Sequence, residues 1–297
     1  MPYSSSGELS LPIHALIPLP ADYTSIMTTE YLTRLFKKSY KYFPQREYIK
    51  INIFPYIYNM AKRNENNDFT LISGGGSGLG MALANEALAR NKNVIITGRD
   101  EAKLVDAATT LAEQNGKAKI IPFPCDISNQ EDVDILAGFI KENNCHVDYL
   151  FNNAGTGSFG NAAGNRSPRV EEILGSNLTG MILLTSAVLS ITPAERSLTI
   201  VNIMSTSALI GRSTETVYCA AKWGARGFTE ALRAELRGTG RRVVAVYPGG
   251  MNTPFWAEAK GKDVSAFMNP ADVAAEIGHA VFNESNIMVT EITINRP

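Results

Sequence analysis

The chain has 297 residues, 44% of them hydrophobic, with 28 Lys and Arg set against 29 Asp and Glu. That length supports one large domain with a substantial core, and a formal net charge of −1 argues against a nucleic acid as the partner. Three cysteines, Cys125, Cys145 and Cys219, have no metal-ligand spacing and cannot all pair, and the three histidines are scattered. A metal site and a Ser-His-Asp nucleophile are both disfavoured, and free thiols fit a reducing, cytoplasmic setting.

In chain order, the first change is compositional. Eight of the eleven tyrosines lie before residue 59, whereas only Gly7 of the 24 glycines lies before residue 74. The shift predicts a weakly ordered N-terminal extension over 1–59, with one catalytic domain over 60–297. Within the extension, LSLPIHALIPLP (9–20) is apolar but broken by three prolines and lacks a preceding basic segment, which fits neither a signal peptide nor a spanning helix. EYLTRLFKKSYKYF (30–43) has the pattern of a basic amphipathic helix. Met60, just before AKRNENNDFTLIS, stands where a natural start would, so the upstream part is expected to be dispensable.

From Phe69 onward apolar strands alternate with helical stretches. The strands are expected at 69–72, 94–97, 118–123, 147–152, 197–203, 242–247 and 287–294, the rhythm of a parallel α/β sheet. Between the first strand and a helix over Met81–Arg90 lies SGGGSGLG. Gly74 and Gly78 there would let the backbone turn tightly and approach a pyrophosphate, Gly80 would let the helix pack closely, and the helix N-terminus would face the phosphates. The uncharged run 173–192 is about long enough to cross a bilayer, but it contains Gly175, Ser176, Asn177, Thr179 and Gly180. Inside an α/β pattern it is expected to be a helix buried between the sheet and a second subunit rather than a transmembrane segment.

Tyr218 and Lys222 stand four residues apart, which places a phenol and an ammonium on one helical face, one turn apart. A neighbouring cation favours phenolate, so this pair has the makings of a proton donor and acceptor.

These segments together resemble the short-chain dehydrogenase/reductase family. Ser73–Gly80 matches its TGxxxGxG pattern with Ser for the leading Thr; Cys125 and Asp126 follow the third strand as the family's adenine-contacting Asp does; Asn152–Gly155 spell NNAG. Asn177, Ser205, the TyrxxxLys pair and the PGxxxT segment with Pro248, Gly249 and Thr253 follow in order, so that the resemblance spans about 68–297. It implies a single Rossmann-like, doubly wound parallel sheet with helices on both faces. It also implies a catalytic set of Asn177, Ser205, Tyr218 and Lys222. The cofactor set it implies is Gly74, Ser77, Gly78, Leu79, Gly80, Arg99, Asp126, Asn153, Ala154, Gly155, Tyr218, Lys222, Pro248, Gly249 and Thr253. In that reading Tyr218 exchanges the proton, Lys222 depresses its pKa and holds the nicotinamide ribose, Ser205 binds the substrate oxygen, and Asn177 anchors a water relay. The family's dimers form through the 173–192 helix and the helix bearing Tyr218, so a homodimer is expected.

Cofactor choice is expected at the end of the second strand. Gly98 and Arg99 stand where an NAD enzyme would carry an acid, which favours NADP over NAD because a guanidinium can grip a phosphate bidentately. Asp100 and the uncharged Ser77 weigh the other way. The substrate pocket is expected to draw on 156–159, 206–210 and 250–267, mostly apolar walls with Arg212 at the rim. The reaction expected is hydride transfer between nicotinamide and a small or lipophilic carbonyl compound or secondary alcohol. A sugar-nucleotide epimerase or dehydratase, or a non-catalytic nucleotide-sensing scaffold, are the alternatives.

Overall fold

The computed structural model describes residues 67–115, 118–157, 159–259, 261–283 and 287–297. The expected extension 1–59 and the start at Met60 lie outside the described residues.

Seven strands are laid down as β1 (Asp68–Ser73), β2 (Asn93–Gly98), β3 (Ile120–Pro124), β4 (His146–Asn152), β5 (Leu198–Ile203), β6 (Arg241–Pro248) and β7 (Glu291–Ile294). The central ones are buried along most of their length, because helices cover both faces and leave no wet side for alternation to mark. All six pairings are parallel, in the order β3-β2-β1-β4-β5-β6-β7. The chain therefore winds outward one way from β1 and the other way from β4. A ligand crevice opens at the carboxyl ends of the strands where that direction changes.

Helices α1 (Gly78–Ala89), α2 (Glu101–Asn115) and α7 (Pro270–Val281) pack on one face, where Ile72, Ile96, Phe151 and Val246 meet Leu83, Leu104 and Ile277. The other face takes α3 (Gln130–Glu142), α4 (Ser167–Leu174), α5 (Gly180–Ile191) and α6 (Thr216–Glu235). Here a polar ladder crosses the interior. Asn152 Nδ2 donates to Thr185 Oγ1 and to Asn202 Oδ1, each at 2.8 Å, and Asn202 Nδ2 donates to Thr229 Oγ1 at 2.9 Å. All four residues are fully or almost fully buried. Breaking one rung would strand partners at about 1–3 kcal/mol each, so the ladder fixes how α5 and α6 sit on β4 and β5. That matters because α6 carries Tyr218 and Lys222.

The run expected as a single uncharged helix is part of a continuous helical stretch, Ser167–Ile191, long and apolar enough to cross a membrane. Its face with Met181, Leu184, Thr185 and Val188 is buried within the fold. A π turn, Gly175–Thr179, interrupts it. Two boundaries also differ from the sequence pattern. Helix α1 begins at Gly78 rather than Met81, since glycine propensity conceals a first turn that the cleft requires. Strand β7 is only Glu291–Ile294, because β6 offers partners for four residues, Ala245–Pro248; Ile287 and Met288 before it stay exposed.

Candidate active site

One cavity of about 1500 Å³ runs along the carboxyl ends of the strands. Every residue expected in the catalytic and cofactor sets lines it: Gly74, Ser77, Gly78, Leu79 and Gly80 after β1, Arg99 after β2, Asp126 after β3, and Asn153, Ala154 and Gly155 after β4. Asn177 follows from the π turn, Ser205 from the end of β5, Tyr218 and Lys222 from α6, and Pro248, Gly249 and Thr253 from the end of β6.

The floor of the cleft is built by Ser73 and Asn153. Ser73 Oγ accepts the backbone N–H groups of Asn153 and Ala154 at 3.0 and 3.1 Å and donates to Phe151 O at 3.3 Å. Asn153 Nδ2 donates to Ser73 O and Gly74 O at 2.9 and 3.3 Å. Asn153 thus braces the glycine turn with its side chain, while still bordering the cavity. Gly74 turns the chain with φ of +68°, where a side chain is strained. A Cβ at Gly80 would lie 2.1 Å from Gly74 O and 2.5 Å from Asn153 Nδ2, so this glycine lets α1 fold back against the turn itself rather than onto the sheet, as its sequence position implied. The first turn of α1 has neither a side-chain cap at Ser77 nor an acidic residue. Its free N–H groups, bordering the cavity at Gly78, suit a phosphate.

Asn177 is fully buried in the π turn, and its Nδ2 donates to Ile173 O and Thr156 O, both at 2.9 Å. Its Oδ1 has no protein partner. That atom and Lys222 Nζ both face Gly155, where a Cβ would stand 2.6 Å from one and 3.5 Å from the other. The bare glycine keeps this spot open to a ligand with hydroxyl donors. Lys222 Nζ also donates to Ile203 O at 3.2 Å and lies 5.7 Å from the Tyr218 ring centre. Uncapped N–H groups at one end and an acceptor beside an ammonium at the other fit the pyrophosphate and a ribose of a dinucleotide.

The expected depression of Tyr218 by Lys222 is not what governs the phenol here. Burial pushes its pKa well above the ordinary value; hydrogen bonding to Ser205 pulls it back, Glu215 adds to the rise and Arg212 opposes it. Burial lowers the Lys222 amine to about 8, so that about nine in ten remain charged at neutral pH. Cys125 borders the cavity too, but burial and the charge of Asp132 push its thiol up to about 12, which keeps it from acting as a thiolate. Among the described residues, no group of three or more His, Cys, Asp or Glu is placed to hold a metal ion.

Beside Tyr218 the cavity is lined by the rings of Phe255 and Trp256, with Phe159 packed behind them. Phe255 lies 5.5 Å from Tyr218, 5.1 Å from Trp256 and 5.9 Å from Phe159, while Trp256 stacks on Phe159 at 5.3 Å. Arg212 lines the cavity and donates to Thr206 Oγ1 at 2.9 Å. Sequence reading missed Glu215, which accepts from Ser207 Oγ at 3.2 Å, and Glu172, which borders the cofactor side. Neither belongs to a motif; only the fold brings them to the cleft. Of the residues expected in the wall, Gly157, Phe159, Ala208, Leu209 and the largely exposed Ile210 do not line the cavity, because the loops turn away after Thr156 and Ser207.

The chain matches the short chain dehydrogenase family over residues 68–263 and belongs to that family. It is similar to a short-chain dehydrogenase/reductase from Vibrio parahaemolyticus, 32% identical with a TM-score of 0.68, over 77% of this chain and 99% of that one. It is also similar to a variant actinorhodin polyketide ketoreductase determined with NADPH, 26% identical with a TM-score of 0.70, over 76% of this chain and 95% of that one. Among characterised relatives, sepiapterin reductase of Chlorobaculum tepidum is 29% identical over 231 residues, 75% of this chain and 94% of that protein. Family membership makes the protein an oxidoreductase.

The burial of Lys222 has a consequence for stability. Below about pH 8 the folded and unfolded states both hold the proton, and their difference is constant. Above it the folded amine releases its proton first, the unfolded state binds more protons, and stability rises until the unfolded amine titrates near about pH 10. Relative to Lys222→Met, the native chain should therefore gain roughly 1 kcal/mol per pH unit across that window. Denaturant unfolding of both proteins at several pH values measures this, and a flat difference would mean that Nζ is not desolvated.

Proposed function

We propose that this protein is an NADP(H)-dependent carbonyl reductase or alcohol dehydrogenase acting on a small or lipophilic, uncharged substrate. The observation that carries this reading is the convergence of Asn177, Ser205, Tyr218 and Lys222, from three elements, on one end of a cleft whose other end is a glycine turn with an uncapped helix N-terminus. Bound along that cleft, the nicotinamide supplies or accepts the hydride at the substrate carbon. Tyr218 gives its proton to the carbonyl oxygen in reduction and takes it back from the alcohol in oxidation, while Ser205 holds that oxygen and the charge developing on it. Lys222 holds ribose hydroxyls with its ammonium, and Asn177 Oδ1 receives the donor that continues the proton path. Burial keeps Tyr218 protonated in the free protein, the form from which a proton can be given to a carbonyl oxygen.

The NADP preference rests on Arg99, whose side chain is 60% exposed at the edge of the cleft, paired with Glu172 only at 3.9 Å and within that cleft's lining. The NADPH held by the actinorhodin ketoreductase is in keeping with it. We further infer that residues 60–297 are the catalytic domain, since β1 begins at Asp68, and that the protein is a cytoplasmic homodimer, with the half-exposed Trp223 of α6 on the shared face. Activity of a chain beginning at Met60 tests the first inference and light scattering the dimer.

Two substitutions test the chemistry. Tyr218→Phe deletes only the transferable proton, so NADPH binding should stay near native while turnover on a panel of ketones and aldehydes falls by about 10² to 10⁴-fold. Near-native turnover would remove Tyr218 from the mechanism. Arg99→Ala should weaken NADPH binding by about tenfold to a hundredfold and leave NADH nearly untouched, as expected for one charge-assisted contact. Equal loss with both cofactors, followed by nicotinamide fluorescence, would refute the assignment.

A further inference from the structure

Four charged side chains from three parts of the chain form a line that starts at the cleft, where Arg99 and Glu172 border the cavity. Arg99, after β2, lies with Nη1 3.9 Å from Glu172 Oε1 on α4. The other oxygen of that carboxylate, Oε2, receives Arg169 Nη1 at 2.6 Å. Arg169 then turns its Nη2 to Gly157 O at 2.7 Å, in the loop after β4, and to the carboxylate of Glu258, in the segment after β6. Glu258 lies two residues beyond Trp256. The line thus runs from the edge of the cofactor cleft to the ring-walled substrate end.

Glu172 is the contested member: one carboxylate serves two guanidiniums, tightly at Arg169 and loosely at Arg99. Arg99 is the more exposed of the two arginines and the one on the cofactor side. We propose that Glu172 is a specificity-determining residue of the cofactor cleft, competing with a ligand phosphate for Arg99 and, once displaced, serving Arg169 alone, which fastens the segment carrying Phe255 and Trp256. The proposal rests on the reading that Arg99 meets the 2′-phosphate. It adds that a phosphorylated cofactor firms up the substrate wall while its unphosphorylated counterpart does not. The geometry favours this over a passive surface pair because Arg169 holds both a backbone carbonyl of the loop after β4 and an acid of the segment after β6. Loosening Glu172 from Arg99 therefore alters the partners of a side chain that already bridges those two segments. Exposed pairs of this kind carry effects of about twofold to fivefold, so the expected changes are of that size.

The test uses two nucleotides without nicotinamide, adenosine 2′,5′-bisphosphate and adenosine 5′-diphosphate, on the full chain carrying Trp223→Phe. That substitution leaves Trp256 as the sole tryptophan, because the sequence has two. Binding is read by calorimetry and the segment by acrylamide quenching of Trp256. The bisphosphate should bind more tightly than the diphosphate and shield Trp256, whereas the diphosphate should bind without shielding. Adding Glu172→Gln should tighten the bisphosphate about twofold to fivefold and abolish the shielding. Adding Glu258→Gln instead, at an exposed position, should abolish the shielding and leave nucleotide affinity unchanged. Equal affinity for the two nucleotides overturns the Arg99 reading and the proposal with it. Preference for the bisphosphate, with affinity and quenching unmoved by Glu172→Gln, overturns the proposal alone.

Discussion

Strands β1 and β4 run side by side, but their chains leave the sheet towards opposite sides, and the Ser73 hydroxyl holds the place where they part. It accepts two consecutive N–H groups from the end of β4 and donates to a third residue of that strand, while Asn153 returns two hydrogen bonds to the end of β1. Ser73 is fully buried, so losing its hydroxyl would leave the N–H groups of Asn153 and Ala154 and the carbonyl of Phe151 without that partner at once. The glycine turn starts from this clamp, and α1 closes on it so tightly that Gly80 has no room for a Cβ. A Ser in place of the family's Thr is tolerated for a simple reason: the clamp needs the oxygen and makes no use of a methyl.

The catalytic end depends on a different constraint, the burial of opposed charges. Desolvation works against both members of the TyrxxxLys pair, raising the phenol and lowering the amine. Even after burial lowers it to about 8 the amine stays mostly charged at neutral pH, and its one protein hydrogen bond goes to a backbone carbonyl that cannot neutralise it. Tyr218 sits among contending influences from the next layer out: Ser205 and Arg212 favour phenolate, Glu215 disfavours it. A cationic nicotinamide ring near this group would shift the same balance towards phenolate, so a phenol high on its own is compatible with chemistry in both directions.

Most of the fold and the motif residues were legible in the sequence because they depend on contiguous segments. Glycine spacing sets a turn, four-residue spacing sets a helical face, and apolar runs of five or six mark strands buried on both sides. What was not legible arises between segments. The π turn around Asn177 leaves no mark in hydropathy, since Gly175–Thr179 reads as ordinary polar interruption of a helix; it exists because the Asn177 amide takes the carbonyl of Ile173 and that of Thr156 from another loop. Glu215 and Glu172 belong to no motif. Their significance lies in partners eight and seventy-three residues away, Ser207 and Arg99. The pull of Lys222 on Tyr218 was overestimated for the same reason, since spacing reports proximity and says nothing of burial.

The substrate wall limits what discrimination the enzyme can achieve. Phe255 touches the Tyr218 ring on one side and Trp256 on the other, so a carbonyl oxygen seated between Ser205 and Tyr218 brings its substituents against an aromatic surface. Such a surface sorts substrates by shape, and one methylene more or less is worth only about 1–3 kcal/mol. Sharper selection has to come from polar groups that a wrong substrate would leave unpaired. Arg212 and Glu215, facing the same space from the loop before α6, are the groups able to impose it. Each already has an internal partner, Thr206 and Ser207 respectively, so an apolar substrate strands neither. That internal pairing is what allows a wall of rings and a pair of opposite charges to coexist in one pocket, and under the function proposed above it would make tolerance of lipophilic substrates depend on the polar residues as much as on the aromatic ones.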